Sequence, residues 1–298
     1  MPPATPDPHG GTEVPITERA DGALIHHASH GSGFPVLLLG PTGADGATDE
    51  PGLFGTVRAL DAYRVITADR RHTGGSTAPL APFSYAEAAA DQLAVLDDLG
   101  ADAVHVVASG DGTALALRLA HDAPARIASL VLQAPVGLDS TNTIGSFHAP
   151  YDEAMRLARA EGLEGVVAAA VRDGRFGAEP GAGPFAQQLH DDPAFREHLH
   201  SLRRERYIAA LVRHRDGVWP DGSPYFSVSE EWARTCDTPL LILPGADERH
   251  PEGVAKALAA DARRAQLLDP GHDAPENRAR TAEIVTRFLT EHTPRESR

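Results

Sequence analysis

The chain has 298 residues, 42% hydrophobic and 23% charged, the balance of a globular protein long enough to bury a large core. A net charge of −15 argues against a nucleic-acid partner, because no basic patch could neutralise a run of phosphates. No apolar run approaches the roughly 20 residues of a membrane span, and a single cysteine, Cys236, excludes an internal disulfide framework and fits a reducing cytoplasm. Lys256 is the only lysine among 27 basic residues, which suggests an actinomycete-like, high-G+C source.

Residues 1–13 are Pro/Gly-rich, carry no basic or apolar leader, and read as a disordered tail. VPITERADGALIHHASH alternates like a half-buried strand pair turning at Asp21–Gly22, and PVLLLG is a short, fully buried strand. After a Gly-rich loop and a helical LFGTVRALDA comes the strand of YRVITADRR. SYAEAAADQLAVLDDLG is an amphipathic helix with Ser84 as its cap and Gly100 at its end. VHVVAS is the next strand, TALALRLAHD a helix and ASLVLQAP a strand. Near the C-terminus, PLLILPGAD and RRAQLLDPGHD are strands around the helix PEGVAKALAADA, and ENRARTAEIVTRFLTEH is the last helix. Such alternation predicts an α/β fold with a mostly parallel sheet covered on both faces. Residues 140–232 break the rhythm as a helical block, so the expected organisation is a core of 14–139 and 233–298 with a lid of 140–232 over the strand ends.

Four motifs, in order, resemble those of the α/β-hydrolase superfamily: PVLLLGPTG, DRRHTGGS at 69–76, ASGDG at 108–112, and the pair PGADERHP and DPGHDAPE. DRRHTGGS is also similar to the turn of the methylesterase and prolyl-aminopeptidase branch. The resemblance implies a general base at His272, in the Pro-Gly-His loop after the last core strand. It implies an orienting carboxylate at Glu248, with Asp247 beside it as the lesser candidate. It further implies a strained elbow that should carry a nucleophile.

Counting from Gly100 through the strand DAVHVV, the elbow falls on Ala108, Ser109, Gly110, Asp111 and Gly112, so glycine occupies the nucleophile position. Glycine reaches strained backbone regions at little steric cost, so the elbow can persist without its reactive atom. Ser109 points to the opposite face from such a site. A one-residue slip would instead present Asp111, and carboxylate nucleophiles serve the epoxide hydrolases and haloalkane dehalogenases of the superfamily; otherwise Asp111 is a first-turn acid of the following helix. The oxyanion hole would be formed by the backbone N–H groups of Thr42 and Asp111, in a loop altered by Pro41.

Three functions are consistent with these residues. One is an atypical enzyme in which a His272–Glu248 dyad acts as general base on a small, natural-product-like molecule. It would work by water-mediated hydrolysis or by a lyase, cyclase or isomerase step. The second is a hydrolase with Asp111 as nucleophile. The third is a ligand-binding protein that has lost its chemistry. Pro41, Ser109, Phe147, His148 and Tyr151 are the expected pocket residues, with Trp219, Tyr225 and Phe226 as further aromatic candidates. No cofactor is implied, since the GxG at Gly110–Gly112 lacks the third glycine of a dinucleotide loop. No metal is implied either, and His190, His198 and His200 read as a solvated helix face. The partner expected is a small molecule, with neither membrane nor nucleic acid, and the oligomeric state is left open.

Overall fold

A computed structural model describes residues 15–41, 53–58 and 60–294. The tail expected at 1–13 lies outside them. The chain starts as an antiparallel hairpin of β1 (Ile16–Glu18) and β2 (Leu24–His30) around the Asp21–Gly22 turn. Then follow β3 (Phe34–Leu39), α1 (Leu53–Arg58), β4 (Tyr63–Ala68), α2 (Tyr85–Asp98), β5 (Val104–Ser109), α3 (Gly112–Asp122) and β6 (Ile127–Gln133). Helices α4 (Ile144–Arg172), α5 (Ala186–Asp191), α6 (Pro193–Ser201), α7 (Arg204–Val218) and α8 (Glu230–Thr235) separate β6 from β7 (Leu240–Leu243). Helix α9 (Glu252–Asp261), β8 (Ala265–Leu267) and α10 (Arg278–His292) complete the order. No helix among the described residues is long and apolar enough to cross a membrane.

The sheet runs β1-β2-β4-β3-β5-β6-β7-β8; β2 is antiparallel to β4 and every pair from β4 to β8 is parallel. Alternation along each strand sorts side chains onto two faces. On one, Val106 and Ala108 of β5 join Leu37, Leu130 and Leu132 under Val95 and Leu96 of α2 and Leu115 and Leu119 of α3. On the other, Val107 joins Val36, Leu38 and Val131 under Phe54 of α1 and Val285, Phe288 and Leu289 of α10. Each fully buried Leu or Val contributes about 1.5–3 kcal/mol relative to exposure. His105 is also fully buried on the second face, between the Ser129 hydroxyl (2.8 Å) and the Thr293 hydroxyl (3.0 Å); burial, with neighbouring His292, pushes it down to about 4, so it is neutral.

Ser84 caps α2 as its position suggests: its hydroxyl accepts from the Glu87 N–H at 3.4 Å. The chain leaves β3 toward β4 on one side and returns to β5 on the other. The loops after β3 and β5 therefore diverge, and a crevice opens at the strand C-termini.

The helices between β6 and β7 have a core of their own, including Phe147, Tyr151, Val166, Phe185, Leu189, Tyr207 and Leu211. Helix α4 breaks at Gly162 (φ 72°, ψ −168°). This block is tied to the turn at 69–76. His72 is buried with φ 67°, and its Nδ1–H donates to Oε1 of Gln188 at 2.6 Å. The Gly74 N–H donates to Oε1 of Gln187 at 2.8 Å. The turn is held from below by Asp69, whose Oδ2 meets His26 Nδ1 at 2.7 Å and the Gly75 N–H at 2.9 Å. Arg71 of the same turn is locked to Asp91 at 2.7 Å, so this motif works as a structural joint.

Candidate functional site

Strand β5 ends in a sharp turn into α3, and the residue at its tip is Gly110, in the left-handed region at φ +56°. Its N–H donates to the Gln133 carbonyl (3.0 Å), and its own carbonyl accepts from the N–H (3.0 Å) and hydroxyl (2.6 Å) of Thr113. These bonds hold the tip from both sides. Asp111, the next residue, is already helical (φ −68°, ψ −12°). Glycine thus occupies the left-handed tip of the turn, and the helix begins directly after it.

Gly112 allows the elbow to sit against β3. A Cβ there would stand 2.2 Å from the Leu39 carbonyl oxygen and 2.9 Å from that of Gly40, both backbone atoms that the sheet holds in place. Gly112→Ala is expected to lower stability by about 1–3 kcal/mol or more, the usual cost of forcing an atom into a packed interior. A urea titration reads this directly, and an unchanged midpoint would contradict the close approach.

Above the elbow lies a cavity of about 360 Å³ between the sheet and the helical insertion. Pro41, Phe147 and Tyr151 line it, together with Asp111, Phe83, Tyr85, Trp219, His214, Arg70, Arg249 and His250. Asp111 is buried and ion-paired with Arg70 (3.1 Å), whose other arm donates to the Gly40 carbonyl at 2.6 Å. Burial, then the Asp111 charge, pushes the Tyr85 and Tyr151 phenols up, so both stay protonated. Tyr151 shares a hydrogen bond with His214 Nδ1 at 3.0 Å; burial and nearby His72 push His214 down to about 3, leaving it neutral.

The histidine nearest the elbow is His250. A Cβ built on Gly110 would lie 3.5 Å from its Nε2 and 3.3 Å from Pro41 Cβ. Its other nitrogen, Nδ1, meets the Asp247 carboxylate at 2.8 and 2.9 Å. A carboxylate can only accept, so Nδ1 carries the proton and the Nε2 lone pair is directed to the elbow. Partial burial opposes ionisation of Asp247, but His250 and the N–H groups of Arg249 and His250 hold its carboxyl below the usual range.

His272 and Glu248 are not brought together. The buried His272 donates its Nε2–H to the Pro244 carbonyl at 3.0 Å, at the exit of β7, and Thr281 donates to its backbone carbonyl. Glu248 is exposed, and its backbone carbonyl accepts from Asn142 Nδ2 at 2.8 Å. The cause is local. A Cβ on Gly245 would stand 2.5 Å from Cβ of His250, so glycine lets the loop fold back and close Asp247 onto His250. Neither His272 nor Glu248 is among the described residues lining the cavity, nor are Ser109 and His148; His148 turns its Nε2 to the Trp219 carbonyl at 3.1 Å. Thr42 lies outside the described residues. The Asp-x-x-His spacing of Asp247 and His250, directly after Gly245, is the signal that sequence reasoning passed over.

Among the described residues no group of three or more His, Cys, Asp or Glu side chains is arranged to hold a metal ion. The cavity is lined mostly by apolar side chains and by the His250 imidazole, which Asp247 holds from behind, beside the Gly110 turn. That arrangement can move a proton.

The comparisons with known proteins agree with this architecture. A family model described as the alpha/beta hydrolase fold matches residues 35–167. The chain has the α/β-hydrolase fold. It is 28% identical over 253 residues to the dihydrolipoyllysine-residue acetyltransferase component of the acetoin cleaving system of Cupriavidus necator, covering 85% of this chain and 62% of that one. It is 39% identical over 111 residues to RutD of Variovorax paradoxus, provisionally named a carbamate hydrolase, covering 36% of this chain and 41% of that one. The chain thus spans less than two thirds of the length of these relatives. Among solved structures, a hydrolase from Pseudomonas aeruginosa superposes with a TM-score of 0.60 over 94% of this chain and 99% of that one, at 20% identity.

Proposed function

We propose that this α/β-hydrolase-fold chain is an enzyme that acts by general acid–base catalysis, without a covalent intermediate, on a small organic molecule held over Gly110. The base is His250, oriented by Asp247. The observation that carries this reading is the 3.5 Å between His250 Nε2 and the place where a side chain on Gly110 would begin. A water or a substrate atom in that place is within reach of the imidazole. Water there gives hydrolysis of an ester, lactone, carbamate or epoxide; a substrate carbon or hydroxyl there gives a lyase, cyclase or isomerase step. Hydrolase relatives favour the first.

His272 takes a positioning role in this scheme. Its bond to the Pro244 carbonyl pins the start of the loop that carries Asp247 and His250. Asp111 is retained as the buried acid of the elbow, ion-paired with Arg70, rather than as the attacking group.

The test is turnover across activated esters, lactones, carbamates and epoxides by the wild type, His250→Ala and His272→Ala. His250→Ala should lose about 10²–10⁴-fold in kcat, the usual contribution of a positioned base, with the smaller loss in His272→Ala. Equal rates for wild type and His250→Ala would refute the base. An ester trapped on Asp111, seen by intact-protein mass spectrometry, would refute the non-covalent course. Ligand binding with no turnover of any class would leave a binding protein.

A further inference from the structure

Among the described residues three arginines line the cavity, and two of them are fully engaged. Arg71 is locked to Asp91 and Glu87, and Arg70 bridges Asp111 and the Gly40 carbonyl. Arg249 is different. Its guanidinium carbon lies 5.0 Å from the ring centre of Phe147 and 5.2 Å from that of Trp219. Those two rings are themselves packed 5.0 Å apart, and each also meets Phe226 edge-on. Among the described residues Arg249 makes no ion pair, and only its backbone N–H is hydrogen-bonded, to Asp247. Its charge is nonetheless felt inside the chamber, where it counters the upward push that burial and Asp111 exert on the Tyr151 phenol.

A cation held over aromatic rings keeps its N–H groups available to a partner, and in a low-dielectric cavity a charge without an ion pair is a strong attractor for its opposite. A guanidinium edge matches a carboxylate in shape as well as in charge. We propose that Arg249 is the anion-binding residue of the site, and that the substrate is a small molecule with a flat apolar body and a carboxylate. The carboxylate docks on Arg249 while the body lies against Tyr85, Phe147 and Tyr151. The neighbouring residue in the chain, His250, then faces the reacting group over Gly110. This proposal takes the cavity as the substrate site, as above, but does not depend on His250 acting as the base.

The experiment measures binding of phenylacetate, benzoate and their methyl esters by calorimetry, with the wild type, Arg249→Met, Arg249→Lys and His250→Ala. Phenylacetate or benzoate should bind the wild type at least tenfold more tightly than its ester. Arg249→Met should abolish that preference while leaving ester affinity within threefold, and Arg249→Lys should fall between. His250→Ala should retain the preference. The proposal is overturned if neither acid binds, if acids bind no better than esters, if Arg249→Met keeps the preference, or if His250→Ala alone removes it. Arg249→Gln replaces the methionine variant if the latter does not fold. A failure here leaves the turnover comparison of His250→Ala untouched, and the reverse also holds.

Discussion

Gly110→Ser is expected to convert the elbow into a working serine nucleophile, labelled stoichiometrically by a fluorophosphonate probe, while the wild type stays unlabelled at this position. The expectation follows from two distances. The new Cβ would stand 3.5 Å from His250 Nε2, so a staggered rotamer brings the hydroxyl within hydrogen-bond reach, and Asp247 already holds the Nδ1 proton at 2.8 Å. The backbone needs no rearrangement, because Gly110 already has φ +56°. Placing a side chain in that region costs about 1–3 kcal/mol, and the contact with Pro41 Cβ at 3.3 Å is tight, so a lower Tm should accompany the gain of reactivity. The double variants give the experiment its edge. Labelling should vanish in Gly110→Ser/His250→Ala and persist, weakened, in Gly110→Ser/His272→Ala. The opposite pattern would return the base to His272, and a folded but unreactive Gly110→Ser would break the geometric account of the site.

The second large effect is on stability in mild acid. His72 and His105 are buried (5% and 0% exposed), and burial pushes each down to about 4 from an ordinary value of 6.5. His72 gains partly from Gln188 and loses partly to Arg71, but desolvation dominates. With both folded-state values depressed, the unfolded chain takes up protons first as pH falls. Their contribution is therefore intact above pH 6.5 and is lost progressively between pH 6.5 and about 4. Each proton taken up by the unfolded chain alone costs about 1.4 kcal/mol per pH unit, so the pair approaches about 2.7 kcal/mol per unit near pH 5. That is a large part of the 5–15 kcal/mol typical of a folded domain. Urea unfolding at pH 7, 6 and 5 should show the slope, to which His214 also contributes, and His72→Gln or His105→Asn should each lower it by up to about 1.4 kcal/mol per pH unit. Slopes identical to wild type in both variants would exclude these histidines as the cause.

Much of this molecule can be read from its residues, and the reason is local. The apolar runs of β3, β5 and β6 have one assignment each, Ser84 has one helix to cap, and a tight Gly-x-Gly between strand and helix has one shape. The glycine at the tip of the turn is of the same kind, since β5 and α3 meet there without slack. The proposed base is not. His272 has the expected context, a Pro-Gly-His loop after the last strand, yet where its ring points depends on Pro244, twenty-eight residues earlier in the chain. His250 and Asp247 meet only because Gly245 lets a loop double back, a contact encoded by the space around a missing Cβ. Similar reasoning separates Phe147 and Tyr151, which face the cavity, from His148 between them, which bonds the Trp219 carbonyl. The surroundings of Arg249 are not local either, because the rings that hold it, Phe147 and Trp219, come from elsewhere in the chain.

The joint between the 69–76 turn and α5 also bears on how molecules enter and leave. Gln187 and Gln188 fasten one corner of the helical insertion to the core through Gly74 and His72. A flap stitched along one edge cannot lift as a whole; it can only peel from the opposite side or flex at a crease. The break at Gly162 supplies such a crease. Ligand traffic would then be set by the bending of α4, while the stitched corner keeps the floor of the chamber in register through each opening. Since His72 is itself one of the stitches, the acid that unfolds the protein would first loosen its door.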